Sequence, residues 1–301
     1  PTALSGCNAA VTMADLGAGG EHELRRNPFA TCDLTVTTGL RHNEEALQKL
    51  LYLSGKGLPF TYIPSAQGGV TAPITVAGTM ALNNAGVLAG LVLSQLKREG
   101  TPFIMPGWGG NMLDMKTTVQ PYADPQKRGQ AIDFAHHLGL PMFSLGGCSE
   151  SKVVDQQAAA EAALSLFSDA IFGGNLIHDV GYLESGLSGS LPQLAICNQI
   201  IGWLEAFMQE TEINDETLAL NLIDEVGPDG QYLNNPHTMK YFRKRWYPDL
   251  FERSNYNGWQ KKGAKDLGAR ATEFVEKTLA EHTPEPLPAD LAKRVHDVVE
   301  R

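Results

Sequence analysis

Short apolar runs alternate with longer segments of helical period along the chain. The runs fall at 29–37 (FATCDLTVT), 58–64 (LPFTYIP), 103–105, 141–145 and 170–177, and each reads as a strand. Between them the pattern predicts helices over 43–54, 74–97, 125–138 and 151–168. Asn43 is placed to cap the first of these, and Pro73 stands where the second begins. The tail of a helix is expected at 9–16. Pro192 opens another to 209, and Asn214 caps one over 215–226. The segment 239–301 is largely helical and charged, with Pro284, Pro286 and Pro288 in a linker. Strand, loop and helix recurring about five times imply a parallel sheet with right-handed crossovers. Uninterrupted apolar strands suit a sheet covered on both faces.

The stretch Gly146–Ser190 organises the chain. A strand ends in a polar Gly-Gly turn, an Ala-rich helix follows, and a second strand ends in His178, Asp179, Tyr182 and Glu184. In parallel α/β folds chemistry gathers at the carboxyl ends of strands. A barrel needs eight strand–helix units of roughly 30 residues. Either the remaining strands lie upstream of Pro1 or the sheet is open, and the missing initiator Met favours the first.

Composition narrows the function. A net charge of −10 argues against nucleic acid, whose phosphates call for Lys and Arg clusters. Cys7, Cys32, Cys148 and Cys197 are scattered, with no CxxC pair, so no metal is expected on this chain and a reducing cytoplasm suits it. The most apolar long run, 76–96, contains Asn83, Asn84 and Gln95 and reads as a buried helix rather than a membrane span. There is no Walker loop and no GxSxG, and GAGG at 17–20 and GWGG at 107–110 lack dinucleotide spacing.

Polar groups collect after successive strands: Tyr62, Ser65, Gln67 and Thr71; Trp108, Asn111 and Asp114; Cys148, Glu150, Lys152 and Asp155; then the 178–184 set. Each has a plain structural reading. Cys148 reads as a buried inert thiol, His178 equally as a structural histidine, and Tyr62, Phe103 and Phe143 as core. Together, aromatics at strand ends and an acidic balance suit a quaternary ammonium, each cation–π contact contributing about 0.5–2 kcal/mol.

Several stretches carry a resemblance: GGEHELRRNPF (19–29), LRHNEEAL (40–47), the segment 68–102, GGCSESKVVDQQAAAEAA (146–163), the segment 175–204, VGPDGQYLNNPHT (226–238) and RKRWYPDLFERSNYNGW (243–259). In their order and near-complete coverage they resemble the corrinoid-dependent trimethylamine methyltransferase family. The resemblance implies a (β/α)₈ TIM-type barrel with its N-terminal part outside this sequence, a barrel domain over 1–260, and charged helices over 261–301 packed on it. It implies methyl transfer from a methylated amine to cobalt(I) of a separate corrinoid protein. Members that act on trimethylamine use pyrrolysine. None is present here, and the equivalent position falls near Gly147–Cys148. Members without it are similar to glycine betaine methyltransferase. One departure is Asn198, where an acidic residue is expected.

On that reading His178 and Lys152 are the catalytic candidates. Tyr62, Phe103, Trp108, Asn111, Phe143, Gln156 and Tyr182 are the substrate-binding candidates. The corrinoid is carried by the partner, and self-association is expected. Two other readings stay open: a betaine-binding protein without turnover, and a barrel lyase using Lys152 as a Schiff-base amine.

Overall fold

Two helices, α1 (Leu4–Ala18) and α2 (Glu21–Arg26), precede a five-stranded parallel sheet in the computed structural model, which describes residues 3–38, 40–107, 112–124 and 128–300. The strands are β1 (Cys32–Val36), β2 (Phe60–Pro64), β3 (Phe103–Pro106), β4 (Met142–Leu145) and β5 (Leu176–His178). The crossovers are α3 (Glu44–Lys56), α4 (Val76–Lys97), α5 (Arg128–His137) and α6 (Gln156–Phe172). The spatial order β1-β2-β3-β4-β5 follows the sequence, without the reversal of a doubly wound sheet.

The register decides which side chains share a face. Phe60 aligns with Phe103, Met105 with Met142, and Ser144 with Ile177. These residues point toward the helices: Phe60, Phe103, Met105 and Met142 join a core with Leu50, Leu53 and Ile132, and the Ser144 hydroxyl donates to the Asp169 carboxylate of α6 at 3.0 Å. Because the strand period is two, the alternate residues point the other way. That second face carries Thr61, Ile104, Pro106, Phe143, Leu145 and His178. Asp33 accepts a hydrogen bond there from the Thr61 hydroxyl.

The helix α4 is the one described helix long and apolar enough to cross a membrane. Here it packs on β2, β3 and α3. Its first residue lies three beyond Pro73, and Thr75 caps it, accepting from Gly78 N. Gly90 lets it lie against β2: a Cβ there would stand 2.2 Å from the Tyr62 ring.

The helix α6 lies four to five residues later than its pattern suggests. Asp155 caps its start by accepting from Ala158 N at 2.9 Å, and the turn to Gly173 ends it. The apolar residues 170–172, read as strand, are its last turn, and β5 shrinks to three residues. After β5 a small hairpin forms from β6 (Tyr182–Leu183) and β7 (Ser188–Gly189), and α7 (Leu191–Met208) follows. Beyond it come α8 (Asp215–Leu218), α9 (Leu220–Val226), α10 (Pro236–Tyr241), α11 (Tyr256–Lys261), α12 (Leu267–Glu281) and α13 (Ala289–Val299). The helix expected over 215–226 is broken at Ala219, where φ is 53°. A second core joins α6, α7 and α12 through Leu166, Ile196, Ile200 and Ala271, while α13 lies on α1.

Candidate functional site

The loops leaving the carboxyl ends of β2 to β5 are tied into one belt. Leu113 N donates to Gly68 O at 3.1 Å, joining the loops after β2 and β3. Tyr122 N and Ala123 N donate to the Glu150 carboxylate at 2.6 and 3.2 Å, joining the loops after β3 and β4. The loops after β4 and β5 run alongside each other: Gly181 N donates to Gly147 O, Ser149 N to Tyr182 O, Ser185 N to Ser149 O, and Glu184 N to Ser151 O. Asp179, Glu184 and Ser185 hold left-handed backbone at φ of 54–63°. Such strain in non-glycine residues costs of order 1–3 kcal/mol each and gathers where function fixes the chain.

Inside this belt the carboxylate of Glu150 is a hub. Besides the two amides it accepts from the Ser185 hydroxyl. The amide of Glu150 and the Ser149 hydroxyl donate in turn to Glu161 of α6, at 2.8 and 2.7 Å. Sequence-distant residues 122, 150, 161 and 185 are thereby locked together.

Beside the hub, the rings of Phe143 and His178 stack with centroids 4.0 Å apart and planes 5° off parallel. Both project from the sheet face opposite the helices, one strand apart. His178 Nδ1 lies 2.9 Å from Asp179 Oδ1. Burial, then the charges of Asp179, Cys148 and Glu150, push the Tyr122 phenol above its ordinary value. Burial, then Glu150 and Asp179, push the Cys148 thiol up to about 12. These mutual effects place two carboxylates, a phenol and a thiol within electrostatic reach of each other. The site is rich in acceptors and aromatic faces, which suits a cation. Among the described residues no group of three or more His, Cys, Asp and Glu is arranged to hold a metal ion.

The candidate residues divide by location. His178 and Phe143 meet. Tyr182 lies on the hairpin, 39% exposed. Lys152 is exposed in the loop before α6, its Nζ donating to Glu150 O at 2.7 Å. Gln156 is exposed on the first turn of α6. Tyr62 and Phe103 are buried on the helix side of the sheet, where the Tyr62 hydroxyl meets His42 Nδ1 at 2.9 Å. Trp108 and Asn111 lie outside the described residues. Sequence reasoning passed over Tyr122 and Ser185, whose roles depend on contacts with a loop about 30 residues away in the chain.

The state of Cys148 has a direct test. A thiol held near 12 instead of 9 carries about a thousandfold less thiolate at pH 8. Cys148 is therefore expected to resist iodoacetamide in the native protein and to react only on unfolding or as the pH climbs toward 12. Peptide mapping checks it, and rapid labelling at pH 8 would refute it.

Known proteins resemble the chain in sequence over nearly its whole length. The chain matches the family described as trimethylamine methyltransferase (MTTB) over residues 2–301. It is 33% identical over 293 residues to trimethylamine methyltransferase MttB of Desulfitobacterium hafniense, covering 96% of this chain and 59% of that protein. It is 32% identical over 286 residues to trimethylamine methyltransferase MttB1 of Methanosarcina acetivorans, covering 94% and 58%. Glycine betaine methyltransferase of Desulfitobacterium hafniense is 29% identical over 286 residues, covering 93% and 59%. The chain thus spans just under three-fifths of the length of these relatives. With the match covering residues 2–301, all five strands included, the chain belongs to the trimethylamine methyltransferase family.

Proposed function

We propose that this chain carries the substrate site of a methyltransferase that moves a methyl group from a quaternary amine, such as a betaine, to cobalt(I) of a corrinoid protein. The observation that carries the reading is the Phe143–His178 stack beside Asp179, Glu150 and Tyr122 at the strand carboxyl ends. Aromatic faces and carboxylates attract a quaternary ammonium, which cannot donate a hydrogen bond and is held by charge and polarisable surface. The names of the relatives support methylated amines as the substrate class.

The chemistry asks little covalent work of the protein. The methyl carbon takes an electron pair from cobalt(I), the C–N pair returns to nitrogen, and a neutral tertiary amine leaves. The corrinoid is a co-substrate brought by the partner. This chain's part is to hold the methyl group in line, exclude water and supply a field favouring the cation. A Cys148 thiol that stays protonated fits a site in which no protein nucleophile competes for the methyl group. We read the five sequential strands as part of a (β/α)₈ barrel, whose interior would be the face bearing Phe143 and His178.

The test uses the protein at its natural length, anoxic, with cobalt(I) cobalamin and betaines added singly. Decay of the cobalt(I) band, growth of methylcobalamin and one demethylated amine per methyl moved are expected. No methylcobalamin with any betaine or with trimethylamine would overturn the reading.

A further inference from the structure

In the apolar helix α4, Asn83 is buried and turned to the loop after β2. Ala66 N donates to Asn83 Oδ1 and Asn83 Nδ2 donates to Ala66 O, each at 3.1 Å. A buried amide costs free energy unless it is paired, and this pairing fixes the loop. The next residue, Gln67, is held by its own turn. Its amide donates to Thr71 Oγ1 at 2.9 Å, and its carbonyl accepts from the amides of Val70, Thr71 and Ala72. From that fixed backbone Gln67 Nε2 donates to Gln120 Oε1, in the loop after β3, at 2.5 Å. Both glutamines are partly buried. Gln120 stands two residues before Tyr122, a reach of at most about 7 Å along the chain. Tyr122 N is bound to Glu150, and the Tyr122 ring lies against Gly186, where a Cβ would stand 2.7 Å from it. The glutamine pair thus adjoins the Glu150 hub.

We propose that Gln67 and Gln120 bind the carboxylate tail of a zwitterionic substrate, and so select a betaine over an amine that lacks a tail. The inference rests on the methyltransferase reading above. A betaine carries its ammonium and its carboxylate only a few bonds apart, so one site has to accept both signs of charge. The ammonium belongs with Phe143, His178 and the carboxylates of Glu150 and Asp179. Those carboxylates repel the tail and turn it toward hydrogen-bond donors.

The glutamine pair supplies such donors. Each carboxamide has two N–H groups, so three lie outside the Gln67–Gln120 bond. Neutral donors suit the task, because they hold an anion without a positive charge that would repel the ammonium beside it. The backbone under Gln67 is already fixed by Asn83 and by its own turn, so little ordering is left to oppose binding.

Calorimetry on the protein at its natural length, without cobalt, compares glycine betaine and carnitine with tetramethylammonium, which has the charged head and no carboxylate. Gln67→Ala and Gln120→Ala are each expected to weaken the tighter betaine about 10- to 100-fold, the range for a lost hydrogen bond to a charged group, and to move tetramethylammonium less than about twofold. Gln67→Glu should weaken the betaine further and leave tetramethylammonium bound. Equal losses for both kinds of ligand would mean that the pair only ties two loops together. Unchanged betaine binding in both alanine variants would mean that it holds no tail. Either result overturns the proposal, as does a wild type that binds tetramethylammonium and neither betaine. A wild type that binds none of the three contradicts the methyltransferase reading itself, and this inference falls with it. Tetramethylammonium affinity also reports whether each variant is folded, and the two alanine substitutions lie on separate loops, so misfolding of one leaves the other to decide.

Discussion

Replacing His178 by alanine is expected to lower kcat/KM for the quaternary amine by about two to three orders of magnitude, the loss typical of removing one preorganised polar group from an active site. Two interactions disappear together. The Phe143 ring loses the imidazole stacked on it at 4.0 Å, so one aromatic face opens to water. Asp179 loses the ring nitrogen 2.9 Å away, so its carboxylate is free to turn from the orientation the site depends on. The ratio of effects separates two roles. If His178 only helps to bind the amine, KM rises and kcat holds; if it aligns the methyl group, kcat falls as well. His178→Asn keeps a partner for Asp179 and removes the stack, so it should recover part of the loss. Lys152→Ala supplies the contrast. Its exposed ammonium donates to a loop carbonyl, and a change within about twofold is expected, as for surface positions away from buried features. Loss of activity in Lys152→Ala with trapping of a carbonyl substrate by borohydride would instead favour Schiff-base chemistry. Steady-state kinetics on the three variants, with calorimetric binding of the amine in the absence of cobalt, decides among these outcomes.

What the sequence reveals follows from the range of each interaction. The strand–helix alternation is local, and all five strands stand close to their apolar runs. Face parity is not local in strands buried on both sides. In FTYIP every residue is buried, so no alternation marks Tyr62 as helix-facing. Phe143 and Phe103 look equivalent as sequence, yet register sends them to opposite faces: Phe103 aligns with Phe60 and Phe143 with Pro106. The shift of α6 has a different cause. Alanine-rich sequence carries little phase, so the ends are set by Asp155 and the Gly173–Gly174 pair, and the apolar 170–172 segment reads equally well as strand. The Glu150 hub is least legible, because its partners come from loops on either side of it that no periodicity links.

The second large effect is expected at Gly181, where the fold and the site share one close contact. Its φ is +89°, and a Cβ would stand 2.7 Å from the Leu194 Cα and 2.9 Å from its amide nitrogen, in α7. Both neighbours are backbone, so a rotamer change gives no relief. Gly181→Ala meets a conformational penalty of about 1–2 kcal/mol for the left-handed backbone and about 1–3 kcal/mol for overpacking against a helix that cannot yield. A combined loss near 3 kcal/mol lowers Tm by roughly 6–12 °C on the scale for large domains. The damage should spread in a set direction. Gly181 N donates to Gly147 O and Gly181 O accepts from Ser190 N, so displacing the residue loosens the pairing of the loops after β4 and β5 and the start of α7 together. Hydrogen exchange should then show lost protection at Ser149, Gly181 and Ser185, with methyl transfer falling alongside. Gly189 is the internal control. It lies on the same hairpin, a Cβ there would meet no atom within 4 Å, and its φ is not positive, so Gly189→Ala should stay within about 0.5 kcal/mol of wild type. Equal Tm values for the two variants, with unchanged exchange at Ser149, would mean that α7 does not clamp this loop, and the geometry given to Glu150 and His178 would fall with it.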